Sequence, residues 1–174
     1  MSPKKSDCSV YAVWATAWGP MAAAGGPRGL ARVVLPHYQR RDLAELMAFE
    51  HPAATDDEAA FAELIELSRA YFNGRRVGFD DVACDLPPPG RLAGRVLRAC
   101  REIPYGQRRS YKQLAAAAGT PGKARPTAGV LSRNRLPLVI PCHRVTYADG
   151  RPGGFSAPAG VELKRRMLQL EQAC

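Results

Sequence analysis

With 174 residues, 46% of them apolar and 24% charged, the chain has ordinary globular composition and is not a disordered polymer. It is long enough for one domain or for two small ones sharing an interface, and it lacks the run of about 18 apolar residues that a membrane-spanning helix requires. The net charge of +9 is unevenly placed: residues 1–86 carry 9 Lys/Arg against 12 Asp/Glu, whereas residues 87–174 carry 16 against 4. A C-terminal half at +12 suits a polyanionic partner, with a merely solvated basic surface as the alternative.

Lys4 and Lys5 followed by the apolar stretch 8–26 loosely imitate a secretory signal, but Ser9, Thr16 and Gly19-Pro20 interrupt it. The spacing of Val10 to Trp14 suits a strand, and Gly29 to Leu35 reads as a second, the two separated by the Gly25-Gly26-Pro27 turn. Thr55-x-x-Glu58 reads as a capping box opening a helix with Phe61, Leu64, Ile65, Leu67 and Tyr71 on its apolar side, stopped by Asn73-Gly74. Pro87-Pro88-Pro89-Gly90, at the switch of charge, reads as a stiff linker between domains 1–86 and 87–174. Glu63, Glu66 and the other acids before it form no catalytic constellation.

Beyond the linker, Leu92, Val96, Ala99 and Cys100 mark a helix ended by Pro104 and Gly106. Ser110-x-x-Gln113 is a second capping box, opening a short helix that closes at Gly119. After the turn at 120–123 another helix is expected from about Arg125 to Arg133, with Pro126 in its first turn. Two short helices joined by a tight turn in the basic half suggest a helix-turn-helix. Proline restricts the residue before it, so Arg125 is expected to be non-helical and to project outward.

The apolar run Leu136 to Ile140, flanked by prolines, delivers Cys142 with His143 and Arg144 directly after it. A thiol becomes a nucleophile when a base or a positive charge favours its thiolate; otherwise this is a buried structural cysteine beside a satisfied histidine. In the last helix Leu163, Met167 and Glu171 lie along one stripe, so Glu171 is aimed with apolar side chains rather than with Lys164, Arg165 and Arg166. A carboxylate on that face needs a partner. Either His143 takes that place, giving a Cys–His–Glu relay, or Glu171 pairs with a nearby arginine. The five cysteines (8, 84, 100, 142 and 174) contain no C-x-x-C pair, so no metal site is recognisable and reduced thiols in an intracellular protein are the natural reading.

Ile103-Pro104-Tyr105-Gly106, Ser110-Tyr111, Ile140 through Val145 and Lys164 through Glu171 together resemble the O6-alkylguanine-DNA alkyltransferase family, densely over residues 92–171. Thr16-x-x-Gly19, Gly29-Leu30 and Tyr71 to Gly74 resemble its N-terminal domain more loosely. The resemblance implies an α+β protein: a ribonuclease-H-like α/β domain, then a mainly helical domain with the helix-turn-helix and the active-site loop. It implies direct, single-turnover repair of O6-alkylguanine in double-stranded DNA, with O4-alkylthymine as a further substrate, by a cytoplasmic monomer using neither cofactor nor metal.

In that reading Cys142 takes the alkyl group, His143 accepts the thiol proton through a water, and Glu171 orients and charge-stabilises His143. Asn134 braces the active-site turn, and Tyr111 helps the departing guanine and crowds the phosphate. Arg125 fills the gap left by the flipped base. Val145 and Ser156 hold the base, while the small residues Thr127, Ala128 and Gly129, with Ala124, let their helix approach the DNA. Pro126-Thr127-Ala128 and Arg135 depart from the family pattern on the DNA side. The competing reading is a non-catalytic lesion-binding protein that recruits other factors; an activated thiol argues against it, and the basic half argues against a cysteine hydrolase.

Overall fold

A computed structural model describes residues 8–155, 157 and 160–172. Its architecture is mixed α+β, and among the described residues it has a four-stranded sheet, a two-stranded sheet and six α-helices. Strands β1 (Val10–Thr16), β2 (Gly19–Gly26) and β3 (Gly29–Val34) form an antiparallel meander. The short β4 (Thr55–Asp56) runs parallel to β1, so the order is β3-β2-β1-β4.

The stretch resembling a signal is therefore the centre of a sheet, and β2 was not foreseen as a strand. Alanines dominate it, and both its faces are covered, so it shows no apolar–polar alternation. What alternates is the destination of each side chain. Ala12, Trp14, Met21, Ala23 and Val33 enter the main core, while Val13, Ala22, Ala24 and Val34 meet Leu43 and Met47 of α1 (Arg40–Glu50) on the other face. The anticipated turn at Gly25-Gly26-Pro27 joins β2 to β3. Gly29, at φ +104°, lies where an added Cβ would meet the Ala83 backbone at 2.6 Å, and Leu30 pairs with residues 83–85 along that edge.

Helix α2 (Ala62–Phe72) buries Leu64, Ile65, Ser68, Tyr71 and Phe72 and stops at Asn73-Gly74 as expected. The expected capping box does not form, because Thr55 is committed to the sheet; Asp57 Oδ1 instead accepts the Ala59 and Ala60 N–H groups. Ser68 accepts from Trp14 Nε1 at 2.9 Å, fixing α2 under β1.

The C-terminal half builds α3 (Leu92–Arg101), β5 (Arg109–Ser110), α4 (Tyr111–Ala117), α5 (Ala124–Leu131), β6 (Val145–Thr146) and α6 (Gly160–Gln172). β5 and β6 pair in parallel. The Ser110–Gln113 capping box forms with both of its bonds. Arg125 is helical, the second residue of α5, contrary to the non-helical expectation. Burial of Thr127, Val130 and Leu131 holds the helix in register, and Pro126 falls in the first turn, where no intrahelical N–H is needed. Arg125 is nevertheless exposed and points away from the core.

One apolar core runs through both halves, from Trp14 and Tyr71 to Leu114, Ile140 and Met167. The proline segment is not a free spacer. Arg98 Nη1 donates to Pro87 O at 2.7 Å, and Gly94 of α3 abuts the same backbone. A Cβ on Gly94 would lie 2.2 Å from Pro88 O and 2.5 Å from Pro87 O. Gly94→Ala, which would favour an isolated helix, is expected to lower stability by about 1–3 kcal/mol through overpacking. Thermal unfolding checks this, and an unchanged or raised Tm would refute the packing argument.

Candidate active site

The segment between α5 and β6 carries the nucleophile candidate on a constrained backbone. Asn134 Oδ1 accepts from Leu136 N at 3.0 Å, and its Nδ2 donates to Ile140 O at 3.0 Å and to Cys142 Sγ at 3.2 Å. Between these anchors Leu138 is held at φ +77°, a left-handed conformation that costs a non-glycine residue about 1–3 kcal/mol. Arg135 O accepts from Val33 N at 2.8 Å, so the loop is hydrogen-bonded to strand β3. Cys142, His143 and Arg144 form a single 3-10 turn, and all three are buried.

His143 Nε2 lies 2.7 Å from Glu171 Oε1. The two readings left open for Glu171 hold together, because Arg144 also reaches it, through Nε at 3.0 Å from Oε2 and Nη2 at 3.0 Å from Oε1. Two more donors complete the shell: Tyr71 Oη at 2.8 Å from Oε1 and Gly106 N at 3.1 Å from Oε2. Burial alone would raise the Glu171 carboxyl, but the bonds from His143 and Arg144 outweigh it and hold the group at about 2. The carboxylate is then acceptor-only, which places the Nε2 proton on His143 and leaves Nδ1 with a free lone pair. That Nδ1 is buried and has no hydrogen-bond partner among the described residues. Burial, helped by the positive charges of Arg144 and Lys164, keeps the His143 pKa below its usual range despite Glu171, so the ring is a neutral base.

Tyr111 opens α4 with its hydroxyl against Gly153, where a Cβ would sit 2.2 Å from that oxygen. Burial pushes its pKa to about 12, so the phenol is a proton-bearing donor. Lys164 is fully buried and donates to Val145 O at 2.6 Å, with its pKa lowered by burial. This corrects its assignment to the solvated side of α6: it lies seven residues from Glu171, two helical turns along the same face. Val145 N–H already donates to Cys142 O, so the unused hydrogen-bonding capacity at Val145 is the second lone pair of its carbonyl.

The structure thus gathers Cys142, His143, Glu171, Asn134, Tyr111 and Val145 around one turn. Arg125 stands apart on the exposed side of α5, with half-buried Ala128 and Gly129 on the same helix. Thr127 is corrected: it is fully buried and faces the core, so it is not available to DNA. Ser156 lies outside the described residues. Sequence reasoning missed Tyr71, Arg144 and Lys164 as members of the site. The i+7 spacing from Glu171 was a signal for Lys164; Tyr71 shows none, since a tyrosine on an apolar helix stripe reads as core.

Three histidines have lowered pKa values, chiefly through burial, and Glu171 is lowered as well. Unfolding returns each histidine toward 6.5, so the unfolded chain binds more protons and stability falls as pH drops below that value. A second loss is expected between 4.5 and about 2 as Glu171 protonates. Denaturant midpoints measured against pH check both steps, and Glu171→Gln should shrink the lower one, leaving the smaller share of the exposed Asp149, whose carboxyl Arg151 also holds low.

A family profile described as 6-O-methylguanine DNA methyltransferase, DNA binding domain, matches residues 91–173. A methylated-DNA–protein-cysteine methyltransferase of Methanosarcina acetivorans is 31% identical over 94% of this chain and 99% of that protein. One from Methanothermobacter thermautotrophicus is 42% identical over 64% of this chain and 61% of its own length. Among solved structures, Mycobacterium tuberculosis OGT in complex with DNA superposes with a TM-score of 0.77 at 31% identity, covering 94% of this chain and 92% of that one.

Proposed function

The chain belongs to the methylated-DNA–protein-cysteine methyltransferase family, and from that premise we propose that it repairs O6-alkylguanine in double-stranded DNA by moving the alkyl group onto Cys142. The observation that carries this reading is a buried thiol followed by a neutral imidazole with Nδ1 free and Nε2–H held by a carboxylate. Binding a lesion needs no such base.

In the proposed step the Cys142 thiol gives its proton to His143 Nδ1 through a water, and the sulfur attacks the alkyl carbon. The S–C bond forms as the C–O6 bond breaks, and the electron pair returns to the guanine. The base recovers a proton from Tyr111, the proposed donor, and leaves as unmodified guanine, while the proton held by His143 returns to the Tyr111 oxygen through solvent. Asn134 Nδ2 supports developing charge on sulfur, since it already contacts Sγ. The product is a thioether with no group to cleave it, so each molecule acts once.

Guanine O6 lies inside the duplex, so the nucleotide must be extruded at a cost of a few kcal/mol. The α4–α5 helix-turn-helix is the proposed DNA-binding element. Arg125 is proposed to enter the stack behind the flipped base, while Ala128 and Gly129 allow close approach and Val145 and Ser156 hold the base. The N-terminal half is read as a ribonuclease-H-like domain, the site of action as intracellular, and the protein as a monomer. O4-alkylthymine is proposed as a second substrate.

Incubation with an O6-methylguanine duplex should add one methyl group to Cys142 in a one-to-one burst, read by peptide mass spectrometry. Cys142→Ser should bind DNA and transfer nothing; repeated turnover, or methylation of Cys100 instead, would refute the reading. An O4-methylthymine duplex run in parallel tests the second substrate.

Arg125→Ala should slow repair of duplex far more than reaction with free O6-benzylguanine base, because only duplex requires extrusion. A plain phosphate contact would instead weaken binding to damaged and undamaged DNA alike and lower the salt slope by about one. Equal duplex repair rates at saturating protein would rule out the wedge.

A further inference from the structure

Tyr71 contributes its hydroxyl to the site from the acidic N-terminal half, where no other catalytic candidate lies. It stands on α2, is fully buried, and packs edge-on against Phe72, Phe79, Tyr105 and His143. A phenylalanine would fill that space equally well, and a buried hydroxyl is costly unless it is bonded. Here the hydroxyl donates to Glu171 Oε1 at 2.8 Å and sits 3.4 Å from His143 Nε2.

His143 is faced by Glu171 and Lys164 from α6, by Arg144 from its own turn and by Tyr71 from α2, with Tyr105 of the α3–β5 loop packed behind Tyr71. A bare carboxylate 2.7 Å from the ring would favour the imidazolium, and an imidazolium cannot accept the thiol proton. Glu171 must therefore hold the Nε2 proton without drawing a second one onto Nδ1. Its other donors spread its negative charge, and Tyr71 shares the same oxygen, Oε1, that His143 uses.

Resting on the alkyl-transfer reading, we propose that Tyr71 is a positioning residue for His143: its hydroxyl, together with Arg144, shares the Glu171 charge so that the carboxylate fixes the imidazole tautomer while the ring stays a neutral base. The N-terminal half would then set the basicity of a base carried by the C-terminal half, and transfer would depend on how the two halves dock. Nothing is added to the chemical step itself, and the proton still moves from Cys142 to His143.

The test uses the full-length protein and Tyr71→Phe, with two readouts. One is the His143 titration midpoint from side-chain 15N NMR without DNA; the other is the single-turnover rate against pH on an O6-methylguanine duplex. Loss of the hydroxyl should raise the midpoint by roughly half a unit to one unit, and the acid limb of the rate profile should move with it. Transfer would then fall about three- to tenfold on the acid side while the alkaline plateau and duplex affinity change little. Replacing Tyr71 with 3-fluorotyrosine, a stronger donor of nearly the same shape, should move the midpoint the other way, which keeps the test decisive if the phenylalanine variant folds poorly. An unmoved midpoint overturns the proposal, as does a rate reduced equally at every pH. If Tyr71→Phe shifts the His143 midpoint as described but the wild-type protein transfers nothing, the Tyr71 coupling is supported and the alkyl-transfer reading is overturned instead.

Discussion

The Glu171 carboxylate is the point on which the rest of the site depends. It is buried and ionised, and such a group is tolerated only when its lone pairs are filled by well-placed donors. The donors reach α6 from three places distant in sequence: Tyr71 on α2, Gly106 after α3, and His143 and Arg144 in the turn beyond α5. Satisfying one charge therefore fixes the relative positions of four segments. Arg144 extends the tie, because its Nη1 donates to Ile103 O at 2.6 Å. Removing one partner from such a buried pair typically costs about 3–5 kcal/mol, most of it from the charge left behind. The same contacts that hold the fold together thus set the protonation state of the His143 imidazole.

Cys142, the proposed nucleophile, is held by the turn around it as well as by the Asn134 amide at its sulfur. Leu138 is held in a left-handed conformation between Pro137 and Pro141, and Asn134 spans the turn with three bonds. The bond from Val33 to Arg135 ties this loop to the sheet, so the N-terminal meander is the scaffold against which the strained segment is held. Strain of this kind persists only where surrounding structure over-determines it, and it keeps Sγ beside the Asn134 amide before any substrate arrives.

Much of this was legible in the sequence, for identifiable reasons. The i, i+4, i+8 stripe placed Glu171 inside correctly, because a long amphipathic helix has a single apolar face, and Leu163, Met167 and Glu171 are all buried. Ser110-x-x-Gln113 was readable because a capping box is a local interaction, complete within four residues. The apparent box at Thr55 failed for the opposite reason: pairing with β1 is long-range and outbids the local cap. Strand β2 was hidden by its alanines, which serve a tightly packed sheet but carry no strand signature. Tyr71 and Arg144 could not be assigned because their roles exist only once distant segments meet. Lys164 was grouped with Arg165 and Arg166 on charge alone, although its spacing to Glu171 argued for the interior.

The basic half also spends its charge in more than one way. Arg144 and Lys164 are consumed inside the site, and Arg101 Nη2 is turned to the carbonyls of Phe79, Asp80 and Val82. What remains exposed around the helix-turn-helix includes Arg108, Lys112, Lys123, Arg125 and Arg133. These are long, exposed cations outside the ion-paired candidate site, suited to phosphates and counterion release rather than to chemistry. Of the interior cations, Arg144 is paired with Glu171 and Lys164 is bonded to Val145 O, and the charge of both helps to keep the His143 ring neutral. Under the proposed reaction that separation is a physical necessity. Extrusion has to be driven from the duplex surface, where exposed charge meets phosphates, whereas attack on the alkyl carbon requires a neutral imidazole, which the paired interior cations help to preserve.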